Sequence, residues 1–370
     1  MTANDTRPDR PIIGVVGAGV MGVGIAQVAL EAGHEVVLHD VDEPALDRGR
    51  DRIADGLARR ATKAVPDPAG IDDWIAARMA RLRKTTVLEQ LGDEADVVIE
   101  AALESLELKQ TIFRTLDAVA DSATILATNT SALSIAAIAA ATARPTRVLG
   151  LHFFNPAPLM ALVEVVPGPA TDPDVVAAAT DLVTGWGKAA VRSADAPGFI
   201  VNRVNRPFTL GALRLLENGS ASIEAIDQAM RDGGFPLGPF ELMDLTGVDV
   251  TYAASTAIWE RLGRPDRLRP SPIQDRLVQS GRLGRKTGAG FYRYEDGRRA
   301  GPVDAEPRSS VSLIEPAKIR GRIVAAIDDE ARLVAAEGVA SEADIDLAMR
   351  LGANHPTGPF ERGRATSRGS

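Results

Sequence analysis

Two stretches of the 370-residue chain carry side chains that could divide an alcohol oxidation between them. Gly17-Ala18-Gly19-Val20-Met21-Gly22 follows the apolar run Ile12 to Val16, and His152 opens His152-Phe153-Phe154-Asn155-Pro156, with Glu164 twelve residues beyond the histidine. In a Gly-x-Gly-x-x-Gly turn the first glycine bends the chain, the second lets it approach a pyrophosphate, and the third lets the helix pack close to the strand. The helix N-terminus then offers unpaired N–H groups and a positive dipole end to the phosphates. A dinucleotide held there is a hydride acceptor. Histidine titrates near neutrality, so His152 can take the hydroxyl proton. Glu164 sits in the otherwise apolar Val163-Glu164-Val165-Val166, where a buried carboxylate needs a partner, and an imidazole N–H is a suitable one.

These groups need a scaffold. From Pro11 to about Arg192 short β-branched runs alternate with longer helical stretches, the form of βαβ units and a parallel sheet. Strands are expected at Ile12 to Val16, Glu35 to Leu38, Val97 to Ile99, Ile125 to Thr128, Val148 to Leu151 and Leu162 to Val166, with helices over Gly22 to Ala32, Ala45 to Lys63 and Ile71 to Arg83. Asp40 closes the second strand 18 residues past Gly22, where its carboxylate would accept from both ribose hydroxyls. Asp42 adds negative charge and no arginine follows closely, which favours NAD over NADP.

Beyond Asp195-Ala196-Pro197-Gly198 the pattern turns to helix after helix. An internal repeat follows: Ile226-Asp227-Gln228-Ala229-Met230-Arg231 with Gly238-Pro239-Phe240-Glu241 recurs as Ile345-Asp346-Leu347-Ala348-Met349-Arg350 with Gly358-Pro359-Phe360-Glu361. The offset is 119 residues at Asp227 and 120 at Glu241, so one residue is inserted between them. The expected fold class is an α/β Rossmann-like NAD-binding domain, then an all-α C-terminal domain and a partial second copy of it. The expected boundaries are a disordered N-terminus at 1–10, the NAD-binding domain at 11–195, an all-α substrate and dimerisation domain at 196–294, a linker at 295–310, the partial repeat at 311–361 and a disordered tail at 362–370.

Composition narrows the class. Fifty acidic against 42 basic residues give a net charge of −8, which argues against a nucleic-acid partner because phosphate backbones need a strong basic field. There is no cysteine, hence no thiolate nucleophile and no cysteine metal site; no metal is expected. The polar N-terminus and the lack of any run of ~18 apolar residues argue against a signal or membrane segment, and a cytoplasmic enzyme is expected.

The sequence resembles the 3-hydroxyacyl-CoA dehydrogenase family along nearly its whole length. The likeness rests on the glycine-rich turn, Asp96-Val97-Val98-Ile99-Glu100 with Glu104, Thr128-Asn129-Thr130-Ser131, the His152 motif, Pro197-Gly198-Phe199-Ile200-Val201-Asn202-Arg203 and Gly284-Arg285-Lys286-Thr287-Gly288. It implies NAD-dependent oxidation of a (3S)-3-hydroxyacyl-CoA, a step of β-oxidation, with His152 as general base and Glu164 orienting it. Ser131, Asn155 and Asn202 would surround the substrate's hydroxyl and thioester oxygens. Gly17, Gly19, Val20, Met21, Gly22, Asp40 and Asn129 would bind NAD, with Glu104 and Lys109 near the nicotinamide ribose. Lys63, beside Arg59 and Arg60, falls near the family's position for the coenzyme A phosphate. A short substrate such as 3-hydroxybutyryl-CoA is expected; the duplicated domain also resembles enzymes acting on 3-hydroxyadipyl-CoA in aromatic catabolism. A free β-hydroxyacid dehydrogenase would place a catalytic lysine on the α domain, and a crystallin-like relative would bind NAD without turnover. Single-copy members pair through the α domain. With Gly338 set opposite Gly219, Gly321 stands opposite Asn202, so the second copy lacks the substrate amide, and a homodimer or an internal pseudo-dimer through the α domains is expected.

Overall fold

The computed structural model describes residues 10–303 and 314–367, which divide after Asp195 into two units. The expected N-terminal segment other than Arg10, and part of the expected linker and tail, lie outside the described residues.

The first unit is an eight-stranded sheet in the order β3-β2-β1-β4-β5-β6-β7-β8. Its strands are β1 (Ile13–Val16), β2 (Val36–His39), β3 (Leu82–Thr85), β4 (Val97–Glu100), β5 (Ile125–Thr128), β6 (Val148–Phe153), β7 (Leu162–Pro167) and β8 (Ala189–Arg192). Helices α1 (Val20–Glu31), α2 (Glu43–Ala64), α3 (Ile71–Met79), α4 (Leu88–Glu94), α5 (Leu106–Val119), α6 (Ile135–Ala139) and α7 (Pro173–Gly185) connect them. Strands β1 to β6 are mutually parallel, so their carboxyl ends share one edge; β7 runs antiparallel to β6. The central strands β1, β2, β4 and β5 are buried at every residue, as strands covered on both faces must be.

The expectation for this unit needs two additions. Helix α3 stops at Met79, and Leu82-Arg83-Lys84-Thr85, expected to continue it as far as Arg83, forms an edge strand instead; Ala189-Ala190-Val191-Arg192 forms the other edge. Edge strands carry charge and bury less apolar surface, so neither shows the apolar run that marks a central strand.

The second unit holds α8 (Val201–Val204), α9 (Arg206–Glu217), α10 (Ile223–Asp232), α11 (Pro239–Thr246), α12 (Val248–Arg261), α13 (Pro272–Gln279), the hairpin β9 (Tyr292–Glu295) with β10 (Arg298–Pro302), then α14 (Pro316–Ala336), α15 (Glu342–Gly352) and α16 (Pro359–Ser367). It is mostly helical rather than all-α. Residues 295–302, expected to open a linker, turn back at Asp296-Gly297, both at positive φ, and pair as a hairpin. The Phe291 and Tyr292 N–H groups donate to Asp244 at 2.9 Å, and the Tyr292 hydroxyl donates to Asp227 at 2.7 Å, which anchors the strand to the helices. The expected tail is also shorter: α16 carries the chain on to Ser367.

The repeat is structural as well as sequential. Ser222 and Ser341 cap α10 and α15. Asp227 accepts from Phe240 N at 2.9 Å, and Asp346 accepts from Phe360 N at 2.8 Å. Glu241 and Glu361 each accept from the backbone N–H three residues before them, Gly238 at 2.9 Å and Gly358 at 2.8 Å. In the first copy Pro207, which cannot donate to a helical ladder, marks the break between α8 and α9; the second copy has Ala326 there and runs on as the single helix α14. Ile319, Ile323, Ile327, Ala331 and Val334 form the buried stripe of α14, which packs against α8, α9 and α10. Each large aliphatic side chain so covered contributes about 2 kcal/mol.

His355 lies on the seam between the copies. Its Nε2 bonds Asn205 Oδ1 at 2.9 Å, and its ring packs on Phe208 and Phe235. Nδ1 is buried with no hydrogen-bond partner among the described residues, so a second proton has nothing to donate to. Burial, aided by the Arg362 guanidinium, lowers the imidazole pKa to about 3. The unfolded chain therefore takes up a proton near pH 6.5 that the folded one refuses. The stability His355 contributes is complete above about pH 6.5 and falls by about 1.4 kcal/mol per unit as pH drops toward 3. Urea unfolding at pH 7 and pH 5 is expected to show His355→Gln losing about 2 kcal/mol less than the parent over that interval; equal losses contradict this account.

Candidate active site

The glycine-rich turn joins the end of β1 to α1. Gly17 has φ +103°, and a Cβ there would meet Ala101 O at 2.8 Å; one on Gly22 would meet Gly17 O at 1.8 Å. Only glycine fits either position. A Cβ on Gly19 would meet nothing within 4 Å, and Gly19 is the N-cap of α1 without a side-chain cap. An open approach to an uncapped twelve-residue helix is what a pyrophosphate requires, so the residues fit NAD. Asp40, past the end of β2, accepts from Ala18 N at 2.8 Å through Oδ2 and from Asp42 N at 3.2 Å through Oδ1, fixing its carboxylate beside the turn. Val20 is exposed and Met21 half-buried at the start of α1.

His152 and Glu164 are directly opposed partners in the β6–β7 ladder, and Nδ1 of the ring meets Oε2 at 2.5 Å. The carboxylate is fully buried and the imidazole 6% exposed. The antiparallel reversal is what makes the pair: Glu164, twelve residues later, lies directly across the ladder from the histidine near the sheet's carboxyl edge.

Two further contacts set the loop that follows. Asn129, just past β5, accepts from Phe153 N at 2.8 Å, tying two strand ends together. Lys188 directs its buried ammonium to Ala157 O at 2.7 Å, Met160 O at 2.8 Å and Pro158 O at 3.4 Å, which clasps the segment after Asn155, itself exposed. Burial lowers the Lys188 pKa.

Glu104 and Lys109 belong to a network along the same edge. Glu100 ends β4 fully buried and accepts from Lys109 Nζ at 2.7 Å and Thr128 Oγ1 at 2.7 Å. Glu104 Oε1 accepts from Thr130 Oγ1 at 2.6 Å, Ser131 N at 2.9 Å and Ala132 N at 3.1 Å, and its Oε2 lies 3.4 Å from Lys109 Nζ. Burial opposes ionisation of Glu104, but the Thr130 hydroxyl, Lys109 and the Ser131 N–H outweigh it and hold the carboxyl below its ordinary pKa. Lys109 is 1% exposed, so its link toward the edge runs through Glu104. Ser131 is exposed on the loop that Glu104 holds.

Asn202 lies on α8 of the second unit, where its carbonyl accepts from Arg206 Nε at 3.1 Å. Arg206 is buried, which lowers its pKa to about 10. Lys63 is exposed on α2 with Arg59 and Arg60; Arg60 lies 3.4 Å from Glu31. Lys188 and Arg206 were not singled out in the sequence, and Glu100 only as the last residue of a motif, because a buried charge has no spacing signature of its own. No group of three or more His, Cys, Asp or Glu side chains among the described residues could hold a metal, and no described helix is long and apolar enough to cross a membrane.

A glycine turn shaped for a dinucleotide and a carboxylate-paired histidine on one sheet edge define an NAD-dependent oxidoreductase. Residues 12–196 match the family profile described as 3-hydroxyacyl-CoA dehydrogenase, NAD binding domain, and residues 198–294 and 319–367 match its C-terminal domain. The chain belongs to the 3-hydroxyacyl-CoA dehydrogenase family. It is 38% identical to 3-hydroxyadipyl-CoA dehydrogenase of Escherichia coli (strain K12), covering 95% of this chain and 90% of that one. It is 43% identical to the mitochondrial hydroxyacyl-coenzyme A dehydrogenase of Rattus norvegicus over 76% of this chain and 90% of the relative. Among solved structures, 3-hydroxybutyryl-CoA dehydrogenase from Escherichia coli K12 superposes with a TM-score of 0.85 at 36% identity, covering 96% of this chain and 91% of the other.

Replacing Asp40 with Ala removes the acceptor beside the turn and its bond to Ala18. The KM for NAD is expected to rise about tenfold, the cost of one charge-assisted hydrogen bond of ~1.4 kcal/mol. Steady-state kinetics with NAD varied check it; an unchanged KM counts against the ribose role.

Proposed function

We propose that the protein oxidises short-chain (3S)-3-hydroxyacyl-CoA, of the 3-hydroxybutyryl-CoA type, to the 3-oxoacyl-CoA, with His152 as general base. The observation that carries the reading is the cross-strand His152–Glu164 pair. NAD, when bound, supplies the hydride acceptor. With Nδ1 given to Glu164, proton exchange with the substrate hydroxyl falls to Nε2, and the imidazolium that results is stabilised by the carboxylate. In reduction the same ring returns the proton. Ser131, Asn155 and Asn202 are assigned to the hydroxyl and thioester oxygens: neutral donors that fix the substrate without adding a competing base. Gly17, Gly19, Val20, Met21 and Gly22 are assigned to the pyrophosphate, Asp40 and Asn129 to the rest of the cofactor, and Glu104, backed by Lys109, to the nicotinamide ribose. Lys63, with Arg59 and Arg60, is assigned to the coenzyme A phosphate, a local basic group on a chain of net charge −8.

A longer substrate with a terminal carboxylate is the second reading. Its support is the relative aligned over 95% of this chain, which is named a 3-hydroxyadipyl-CoA dehydrogenase. For assembly, the packing of α14 on α8, α9 and α10 favours an internal pseudo-dimer, the second copy taking the face through which single-copy members pair.

NADH formation followed by absorbance over a panel of 3-hydroxyacyl-CoA thioesters, one ending in a carboxylate, tests the reading. The highest kcat/KM is expected for a short chain; turnover of none of them refutes the function, and preference for the carboxylate-ended thioester selects the second reading. In the same assay His152→Gln is expected to lose at least ~10²-fold in kcat. Glu164→Gln is expected to shift the pH at which kcat/KM rises, because the neutral amide no longer stabilises the imidazolium; a superimposable profile removes Glu164 from the pair.

A further inference from the structure

The helix that carries Asn202 has little strength of its own. Helix α8 is four residues long, enters from Gly198 and Phe199, both at positive φ, and ends at Asn205 just before Pro207. A buried phenylalanine in the left-handed region persists only where its surroundings impose it. Ile258 of α12 closes on Gly198, and the second copy holds the residues that flank Asn202 further along. Arg203, next to Asn202, is completely buried; its Nη1 and Nη2 grip both oxygens of Glu337 at 2.6 and 2.8 Å, and Nε donates to Glu330 at 2.8 Å. Glu330, also buried, takes Arg267 on its other oxygen at 2.7 Å. At the far end of α8, Asn205 is held by His355.

Duplication alone does not account for this clamp. In the alignment that sets Gly338 opposite Gly219, Arg322 stands opposite Arg203, Gly211 opposite Glu330 and Asn218 opposite Glu337. The arginine is kept in both copies, and Arg322 is exposed. Both carboxylates occur only in the second copy, where they reach the arginine beside Asn202, while Arg322 neighbours Gly321. The charge pattern is thus one-sided, and the side it serves is the copy with the amide.

We propose that Glu337 and Glu330 are positioning residues for substrate: gripping Arg203 through a planar, multiply bonded fork, they set the orientation of α8 and with it the Asn202 amide. This rests on the reading of Asn202 as a substrate contact. A bidentate arginine fork fixes angle as well as distance, which a lone packed side chain does not.

Glu337 is the member to change, since its side chain is 45% exposed and its loss leaves Glu330 on Arg203. With the full-length enzyme, Glu337→Gln is expected to raise the KM for 3-hydroxybutyryl-CoA about tenfold and lower kcat severalfold, with the KM for NAD unchanged, because a misplaced contact costs the substrate that it touches. Glu337→Asp should recover most of the loss. Arg203→Lys keeps the charge without the fork and should reproduce the defect. A lowered melting temperature with substrate KM unaltered in both Glu337→Gln and Arg203→Lys makes the clamp merely structural and overturns the proposal. Asn202→Ala separates the two layers. If it is impaired while Glu337→Gln matches the parent, the clamp fails alone; if Asn202→Ala itself has parental KM and kcat, the reading of Asn202 fails and the clamp with it.

Discussion

A fully buried carboxylate paired with an imidazole across two strands is the contact around which the proposed active site is arranged. Glu164 has no access to solvent, and an ionised acid in that position is tolerable only with a strong partner. The partner is supplied by register. β6 and β7 are antiparallel, and residues 152 and 164 face each other directly, so ring and carboxylate meet without a long side chain having to find its place. A parallel β7 would have sent the intervening chain back to the other edge of the sheet. The one reversal between adjacent central strands therefore sits where the chemistry needs it, while the parallel strands β1 to β6 bring the cofactor turn, Glu100, Asn129 and His152 to a common edge.

Around that pair the edge is held by charges with little freedom to move. Glu100, Lys109 and Glu104 run from the end of β4 through α5 to the loop after β5, and nearly every donor in the chain of contacts reaches a carboxylate. Asn129 then ties that loop to β6, and Lys188 distributes its ammonium over three carbonyls of the loop that follows. Polar groups so fully engaged cannot rearrange cheaply, and preorganisation of this kind is what lets neutral donors act on a transition state without reorganising.

Legibility in the sequence followed physical signal strength. The central strands were readable because burial on both faces demands unbroken apolar runs, and the glycine turn because Gly17 and Gly22 answer separate steric demands while Gly19 leaves the helix end open. The edge strands β3 and β8 were not, since Leu82-Arg83-Lys84-Thr85 and Ala189-Ala190-Val191-Arg192 bury too little to leave a pattern. The hairpin after Phe291 was masked by its charged composition, although Asp296-Gly297 is a strong turn dipeptide. His152 and Glu164 could be singled out from an acid in an apolar strand. The clamp on Arg203 could not, because its partners lie 127 and 134 residues away and nothing local marks Glu330 and Glu337.

The repeat shows how a duplicated unit can lose a part and keep its fold. In the first copy buried Asp227 takes the Tyr292 hydroxyl from the hairpin in addition to helical N–H groups. The described part of the second copy has no such hairpin, and buried Asp346 would be short of a donor. Arg364, on α16, donates to it at 2.7 Å instead. One cation on the last helix thus replaces a strand as the answer to the same buried acid, which frees the second copy from everything but its packing face. Where the first copy has the Asn202 amide the second has Gly321, and the same face carries the carboxylates that grip Arg203 of the other copy. A duplicated helix that need not bind anything is free to hold its twin in place.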